Sequence, residues 1–118
     1  MGIFRALGSI WPFHFAEVSG VSMAPTYGEG DLVLVRLFHE TRKNLPLLTP
    51  VLVERDVMPG IFFVKRIQKS HGEAYWVEGD NADPDVSDRM QDSRSWGFIG
   101  AHEVKGKVLF RVKRGKNS

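Results

Sequence analysis

Cysteine is absent from this sequence of 118 residues. Its absence excludes disulfide bonds, thiolate zinc sites, iron–sulfur clusters and a cysteine nucleophile, and it fits a reducing compartment such as the cytoplasm. Long hydrophobic runs are also missing: the longest, such as 32–35 and 61–64, are strand-sized, whereas a transmembrane helix needs about 20 apolar residues. We therefore expect a soluble cytoplasmic chain that folds as one domain over residues 1–118.

The chain also lacks a strong net charge. Its 16 basic and 14 acidic residues leave a net charge of +2. This charge is too small to indicate a class of binding partner. The run 105–116 holds six basic residues and no acid. We interpret it as a strand in which Val108, Phe110 and Val112 alternate with a solvated basic face, and we expect no nucleic-acid partner.

Residues that bind metals are present but are not spaced as a metal site requires. No two histidines lie three or four residues apart, and the five aspartates between 80 and 92 do not match a calcium loop. The histidines are His14, His39, His71 and His102. We therefore expect neither a metal nor another cofactor.

Short runs rich in Val, Ile, Phe, Tyr and Trp recur along the chain, bounded by Gly, Pro or Asp. They cover residues 15–18, 31–38, 51–54, 60–67, 74–78 and 105–112. None sustains a helical period beyond two turns, so the expected fold is mainly β, a single compact domain of twisted antiparallel sheets. Residues 40–50 and 80–94 are expected to form long loops.

An apolar N-terminal segment, residues 1–14, precedes the expected β-core (15–113) and a short tail (114–118). Phe4, Leu7 and Trp11 lie at helical spacing, which predicts a short amphipathic turn that ends before Pro12. We expect this turn to cap the core. The alternative is an anchor at a membrane surface.

A candidate nucleophile lies in segment 18–27, Val-Ser-Gly-Val-Ser-Met-Ala-Pro-Thr-Tyr. Ser22 follows a strand and a glycine, so its hydroxyl can be exposed beside the apolar Met23, and Pro25 fixes the turn. Taken alone, a Ser-Gly-x-Ser segment between two strands favours a structural turn.

A candidate general base is Lys65, in the strand-like run 60–67. A strand places Phe63, Lys65 and Ile67 on one face. Burial among apolar neighbours lowers the pKa of a lysine, and a neutral amine is what a serine needs as its base. The alternative is a lysine at a sheet edge that extends its amine to solvent.

A third element comprises the segments 77–81, Val-Glu-Gly-Asp-Asn, and 92–97, Asp-Ser-Arg-Ser-Trp-Gly. Side chains of opposite charge in and near these segments can pair and fix the loop against the sheet. They are Asp80, Asp92, Arg66 and Arg94.

Together these segments resemble the ordered sequence boxes of the type I signal peptidases. The similarity lies in Ser-Met-x-Pro-Thr at 22–26, Gly-Asp-x-Val at 30–33, Val-Lys-Arg at 64–66, Gly-Asp-Asn at 79–81 and Asp-Ser-Arg at 92–94. Each box is weak alone, but their order and residue types agree from residue 18 to residue 108. The resemblance implies the β-fold that signal peptidases share with self-cleaving repressors, without the large accessory β-domain of longer members.

The resemblance also implies a serine endopeptidase with a Ser/Lys dyad. Ser22 is then the nucleophile, Lys65 the general base, and the backbone N–H of Ser22 the oxyanion donor. Gly20 replaces a serine that supplies a second donor in some members, which leaves Ser19 as the nearby hydroxyl. Met23 is expected to line the substrate groove.

Further residues are expected to support the site. By the same resemblance they are Arg66, Asp80, Asn81, Asp92, Ser93 and Arg94. The chain departs from the family where a serine orients the lysine, because Met90 occupies that position. Ser87 is the candidate to take this role.

Small members without a membrane anchor resemble the maturation proteases of nickel-type superoxide dismutase. The expected partner is therefore a precursor protein, from which an N-terminal leader or propeptide is removed. Three alternatives remain: signal-peptidase-like processing with peripheral contact at a membrane surface, a self-cleaving repressor-type peptidase, and a non-enzymatic β-domain that binds a polyanion.

Overall fold

Strands account for most of the regular structure in the computed structural model, which describes residues 3–87 and 91–115, with the backbone alone at 3–10 and 87. The strands are β1 (Ile3–Ile10), β2 (Phe13–Ser19), β3 (Leu32–Leu37), β4 (Pro50–Glu54), β5 (Phe62–His71), β6 (Ala74–Glu78), β7 (Ile99–Gly100) and β8 (Val104–Lys113). Short helices α1 (Pro84–Ser87) and α2 (Ser93–Trp96) lie between β6 and β7, and a 3-10 turn, Ala101–Glu103, precedes β8.

The strands form one antiparallel sheet in the order β1-β2-β3-β8-β4-β5-β6-β7. In addition, β1 meets β5 where Ile3 pairs with Phe63. The radius of gyration, 13.1 Å, is that of a compact domain of this size. The expectation of a mainly β, single antiparallel domain is confirmed, although the strands belong to one sheet rather than to several.

The core consists of two clusters on opposite faces of β4 and β5. The first core cluster includes Val18, Val33, Val35, Leu52 and Val64, and the second includes Val53, Phe63, Ile67, Tyr75 and Val77. Alternate residues of β5 therefore enter different clusters, as the period of a strand requires. Because both faces of β5 are covered, Lys65 in the middle of this strand is fully buried.

The N-terminal prediction of a helical turn is wrong, because residues 3–10 form β1. This strand pairs with β2 from Ile3 opposite Ser19 to Ile10 opposite Phe13. Pairing with β2 satisfies the backbone N–H and C=O groups of the segment. This pairing outweighs the helical preference suggested by the spacing of three apolar residues. Trp11 lies in the turn between β1 and β2 and is 59% exposed.

The prediction of a regular alternation along β8 is wrong beyond Val108. Leu34 pairs with Phe110 and Val35 with Val108, so Leu109 is an extra residue in the ladder. Such a bulge changes the direction of the side chains that follow. Phe110 is consequently 55% exposed, and Arg111 reaches inward to the buried Asp31.

Candidate active site

The turn that carries Ser22 joins β2 to β3 and is called here the nucleophile turn, residues 20–31. It begins at Gly20, whose φ of 86° is a conformation that glycine adopts without strain. Within the turn, the N–H of Ala24 donates to the carbonyl of Val21 at 3.2 Å, and that of Tyr27 to the carbonyl of Met23 at 2.9 Å. The first of these bonds closes a turn that contains Ser22, and the second closes the turn that follows it.

Ser22 is buried, with 1% of its surface exposed, so the expectation of an exposed hydroxyl is wrong. In the described part of the chain its hydroxyl oxygen has no hydrogen-bond partner. Its backbone N–H also donates no hydrogen bond among the described residues. Met23, which was expected to line the substrate groove, packs in the first core cluster. Ser19 is exposed at the end of β2.

Lys65 lies in the middle of β5, opposite Val51 of β4, and is fully buried. Its amine is 5.8 Å from the centroid of the Phe63 ring and has no hydrogen-bond partner among the residues that the structure describes. Burial lowers its pKa from 10.5 to about 8, an effect that attraction to Asp92 opposes and repulsion from Arg94 reinforces. The alternative of a lysine extending to solvent at a sheet edge is excluded by this burial.

Asp92 and Ser93 are fully buried beside the end of β6. Asp92 accepts the N–H of Gly79 at 3.0 Å and pairs with the Arg94 guanidinium at 2.6 Å. Burial alone would raise the pKa of Asp92, but the hydrogen bonds from Arg94 and Gly79 outweigh it and lower the pKa. The Ser93 hydroxyl accepts the N–H of Val77 at 2.8 Å. The loop is thus attached to the sheet through its own side chains.

Arg66 and Asp80 form a second ion pair next to the nucleophile turn. Two guanidinium nitrogens of Arg66 bind the two carboxylate oxygens of Asp80 at 2.9 and 2.8 Å, and a third donates to the carbonyl of Leu48 at 2.8 Å. Both side chains are largely buried. Such two-point pairing fixes orientation as well as position.

Asn81 connects this framework to the nucleophile turn. Its backbone N–H donates to the carbonyl of Ser22, and its side-chain amide donates to the carbonyl of Val21, both at 2.9 Å. The structure therefore brings the 79–81 and 92–94 segments together and places them against Ser22 on one side and within the electrostatic reach of Lys65 on the other. No hydrogen bond joins the Ser22 hydroxyl to the Lys65 amine. Met90 and the side chain of Ser87 lie outside the described residues.

An anchor of the nucleophile turn was missed by the sequence reasoning. The buried carboxylate of Asp31 accepts the N–H of Gly28 at 2.8 Å and that of Gly115 at 2.7 Å. Arg111 donates to this carboxylate at 3.4 Å and to the carbonyl of Thr26 at 2.9 Å. Asp31 lies in one of the sequence boxes, but its partner Arg111 was expected to be solvated.

Two cavities flank the nucleophile turn. One, of about 440 Å³, is lined by Pro25 and Thr26 on one side and by polar residues that include Gln68 and Asn81 on the other. The second, of about 300 Å³, is lined by residues that include Val21 and Ala24. Neither cavity is lined by Ser22 or Lys65, so both cavities lie beside the turn rather than over these two residues.

A separate cluster brings atoms that could bind a metal within 4.8 Å of one another: Asp56, His102 and Glu103. Glu103 accepts hydrogen bonds from the Arg55 guanidinium and from the N–H groups of Asp56 and Gly100. The guanidinium supplies the positive charge beside this carboxylate. We therefore assign the cluster a structural role.

Comparison with known proteins leaves the function to be inferred from the site. The sequence matches no model of a known protein family, and a search of curated proteins found no significant match. No helix in residues 3–87 and 91–115 has the length and hydropathy needed to cross a membrane. What the fold and site define is a mainly β antiparallel domain with a buried serine and a buried lysine beside a network of ion pairs.

Proposed function

We propose that this chain is a serine endopeptidase in which Ser22 is the nucleophile and Lys65 the general base. One observation carries the proposal. In the described part of the chain, two buried side-chain polar atoms lack a hydrogen-bond partner, and they are the hydroxyl oxygen of Ser22 and the amine nitrogen of Lys65. The sequence boxes had singled out these same two residues.

The state of Lys65 supports its role as a base. With a pKa of about 8, a measurable fraction of the amine is neutral at pH 7 and can take the proton of the Ser22 hydroxyl. The hydroxyl oxygen attacks the scissile carbonyl, and the Ser22 N–H stabilises the oxyanion. The amine then returns its proton to the leaving nitrogen, and later activates a water that releases the acyl group.

The proposal requires the two atoms to come within hydrogen-bond reach when substrate binds. Catalytic hydrogen bonds are often long in a free enzyme and tighten in the substrate complex. The cavities beside the nucleophile turn reach its residues Val21 and Pro25 but not Ser22, so the proposal also requires the turn to open when a peptide binds. We propose a cytoplasmic precursor protein as substrate, from which an N-terminal leader or propeptide is removed, and the precursor of nickel-type superoxide dismutase as the first to test.

The test is incubation of the purified chain with candidate precursors, followed by intact-mass spectrometry. We expect one defined N-terminal cleavage, which Ser22→Ala and Lys65→Ala abolish. The matched controls are Ser70→Ala and Lys69→Ala, which change exposed residues of β5 and should keep activity. Cleavage that persists in both Ser22→Ala and Lys65→Ala would end the proposal, and loss of mass from the chain alone would indicate a self-cleaving peptidase instead.

Processing at a membrane surface is a second candidate, favoured by exposed aromatic side chains. Trp11, Phe13, Phe15 and Phe110 are 59%, 38%, 43% and 55% exposed, and the Arg36 guanidinium lies 5.9 Å from the Phe13 ring centroid. Aromatic and basic groups together are typical of surfaces that contact anionic lipid. Flotation with vesicles of anionic and of neutral lipid tests this candidate, and loss of binding in Phe15→Ser/Phe110→Ser would support it.

A further inference from the structure

Asn81 is bonded to both peptide groups that flank the Cα atom of Ser22. Its side-chain nitrogen donates to the carbonyl of Val21, which belongs to the peptide group preceding Ser22, and its backbone N–H donates to the carbonyl of Ser22 itself, which belongs to the peptide group that follows. Its side-chain oxygen accepts the N–H of Asp83 at 2.9 Å. Because that oxygen is engaged by a donor, the amide nitrogen is the end that faces Val21.

The preceding peptide group is the one that carries the expected oxyanion donor. A trans peptide group is planar, so its C=O and N–H point in opposite directions. A donor that fixes the carbonyl of Val21 therefore also fixes the direction of the Ser22 N–H. Hydrogen bonds to a carbonyl polarise its peptide group and strengthen the N–H as a donor. The carbonyl of Val21 receives two, from Asn81 at 2.9 Å and from Ala24 at 3.2 Å.

Asn81 is itself held by rigid neighbours. The preceding residue, Asp80, is bound at two points by Arg66 of β5, and Gly79 donates to the buried Asp92. Strand β5 also carries Lys65. Strand β5 therefore positions the Lys65 amine directly. It positions the nucleophile turn indirectly, through Asn81.

We propose that Asn81 is a positioning residue that aims and polarises the N–H of Ser22 as the oxyanion donor. The inference rests on the proposed peptidase function. It assigns the oxyanion site to one donor, the backbone N–H of Ser22. Gly20 has no side chain that could supply a second donor. The chemical group recognised is the oxygen of a tetrahedral adduct, which carries more negative charge than the carbonyl oxygen of the bound peptide.

The kinetic test compares Asn81→Asp with the wild type and with Asn44→Asp, a change of the same kind at an exposed residue. Aspartate keeps the acceptor for Asp83 but presents an oxygen, not a donor, to Val21. Loss of one oxyanion donor lowers kcat about 100- to 1000-fold, so loss of its support should lower kcat about 10- to 100-fold. We expect KM to change less than about twofold, so that the loss falls on kcat.

A peptide aldehyde separates positioning from general damage, because its adduct with Ser22 places an oxygen in the oxyanion site. Its affinity should fall in Asn81→Asp by the same factor as kcat/KM, while the affinity of the matching peptide alcohol stays constant. Equal weakening of both ligands, or a kcat equal to that of wild type, would overturn the inference. Urea denaturation of each variant confirms that it is folded.

A measurement that needs no activity completes the test. Scalar couplings across hydrogen bonds should be detected by NMR in the wild-type chain, from the backbone nitrogen of Asn81 to the carbonyl carbon of Ser22 and from its side-chain nitrogen to that of Val21. Absence of both couplings overturns the inference even if the chain is a peptidase. Couplings in a chain that cleaves no precursor would instead overturn the proposed function, and with it the oxyanion role.

Discussion

Replacement of Lys65 by methionine is expected to stabilise the fold at neutral pH. The two side chains are similar in length, so the substitution keeps the packing on β5 and removes only the ammonium group. Burial lowers the pKa of Lys65 from 10.5 to about 8, so at pH 7 the folded chain holds a charge that water solvates better in the unfolded chain. The difference between these two pKa values corresponds to about 3 kcal/mol in the free energy of unfolding.

This gain should depend on pH in a defined direction. The folded state has the lower pKa, so between about pH 8 and pH 10.5 the unfolded chain binds more protons and the stability of the wild type rises with pH. The destabilisation that comes from the charge of Lys65 is complete below this window and absent above it. The stability difference between Lys65→Met and the wild type should therefore be largest at pH 7 and lose most of this charge contribution as the pH approaches 10.5. The smaller cost of an unpaired neutral amine remains.

Urea denaturation, followed by tryptophan fluorescence at several pH values, measures this difference. The control is Lys113→Met, which changes an exposed lysine of β8 and should alter the free energy of unfolding by less than about 0.5 kcal/mol at every pH. The reasoning is refuted if Lys65→Met is less stable than the wild type at pH 7. It is equally refuted by a gain that stays constant from neutral to alkaline pH.

Three further predictions concern activity and the ion pairs. Proteolytic activity should rise with pH through an apparent pKa near 8, and a profile flat from mildly acidic to alkaline pH would exclude Lys65 as the base. Asp31→Asn should lower the free energy of unfolding by about 1–3 kcal/mol, because a buried acceptor is lost; unchanged urea midpoints would contradict this. Arg66→Leu should cost about 3–5 kcal/mol by leaving Asp80 unpaired, whereas Arg66→Leu/Asp80→Leu should cost less, as denaturation can check.

Strand β5 shows how much of the fold the sequence predicts. The run 60–67 indicated a strand with Phe63, Lys65 and Ile67 on one face, and the structure confirms both the strand and the shared face. Local alternation suffices here because most residues of the run are β-branched or aromatic and Gly60 begins it. What it could not predict is that both faces are covered, since this depends on strands distant in sequence.

The end of β8 marks the limit of such reasoning. Its residues alternate as regularly as those of β5, yet the extra residue at Leu109 sends Arg111 inward and Phe110 outward. A bulge is set by the register with the partner strand β3, which local sequence does not contain. The buried pairing of Arg111 with Asp31 was consequently not predictable.

The sequence predicted which residues belong to the candidate site but not which of them contact one another. Ser22, Lys65 and Asn81 were each named from short boxes, which state the kind of residue at a position. The bond from Asn81 to Val21 spans 60 positions of the chain, and no local pattern indicates which carbonyl it meets. The geometry that bears on catalysis therefore comes from the fold.

Ser22 and Lys65, two buried polar side chains without hydrogen-bond partners among the described residues, are difficult to explain as structure alone. An unsatisfied buried polar group costs about 1–3 kcal/mol, a large share of the 5–15 kcal/mol that typically separates folded from unfolded states. The same region satisfies its other buried polar groups, since Ser93 and Asp92 are both hydrogen-bonded. Apolar residues could occupy both positions without this cost. An unengaged hydroxyl and a partly neutral amine are what acyl transfer needs, whereas a domain that binds a polyanion through its surface needs neither.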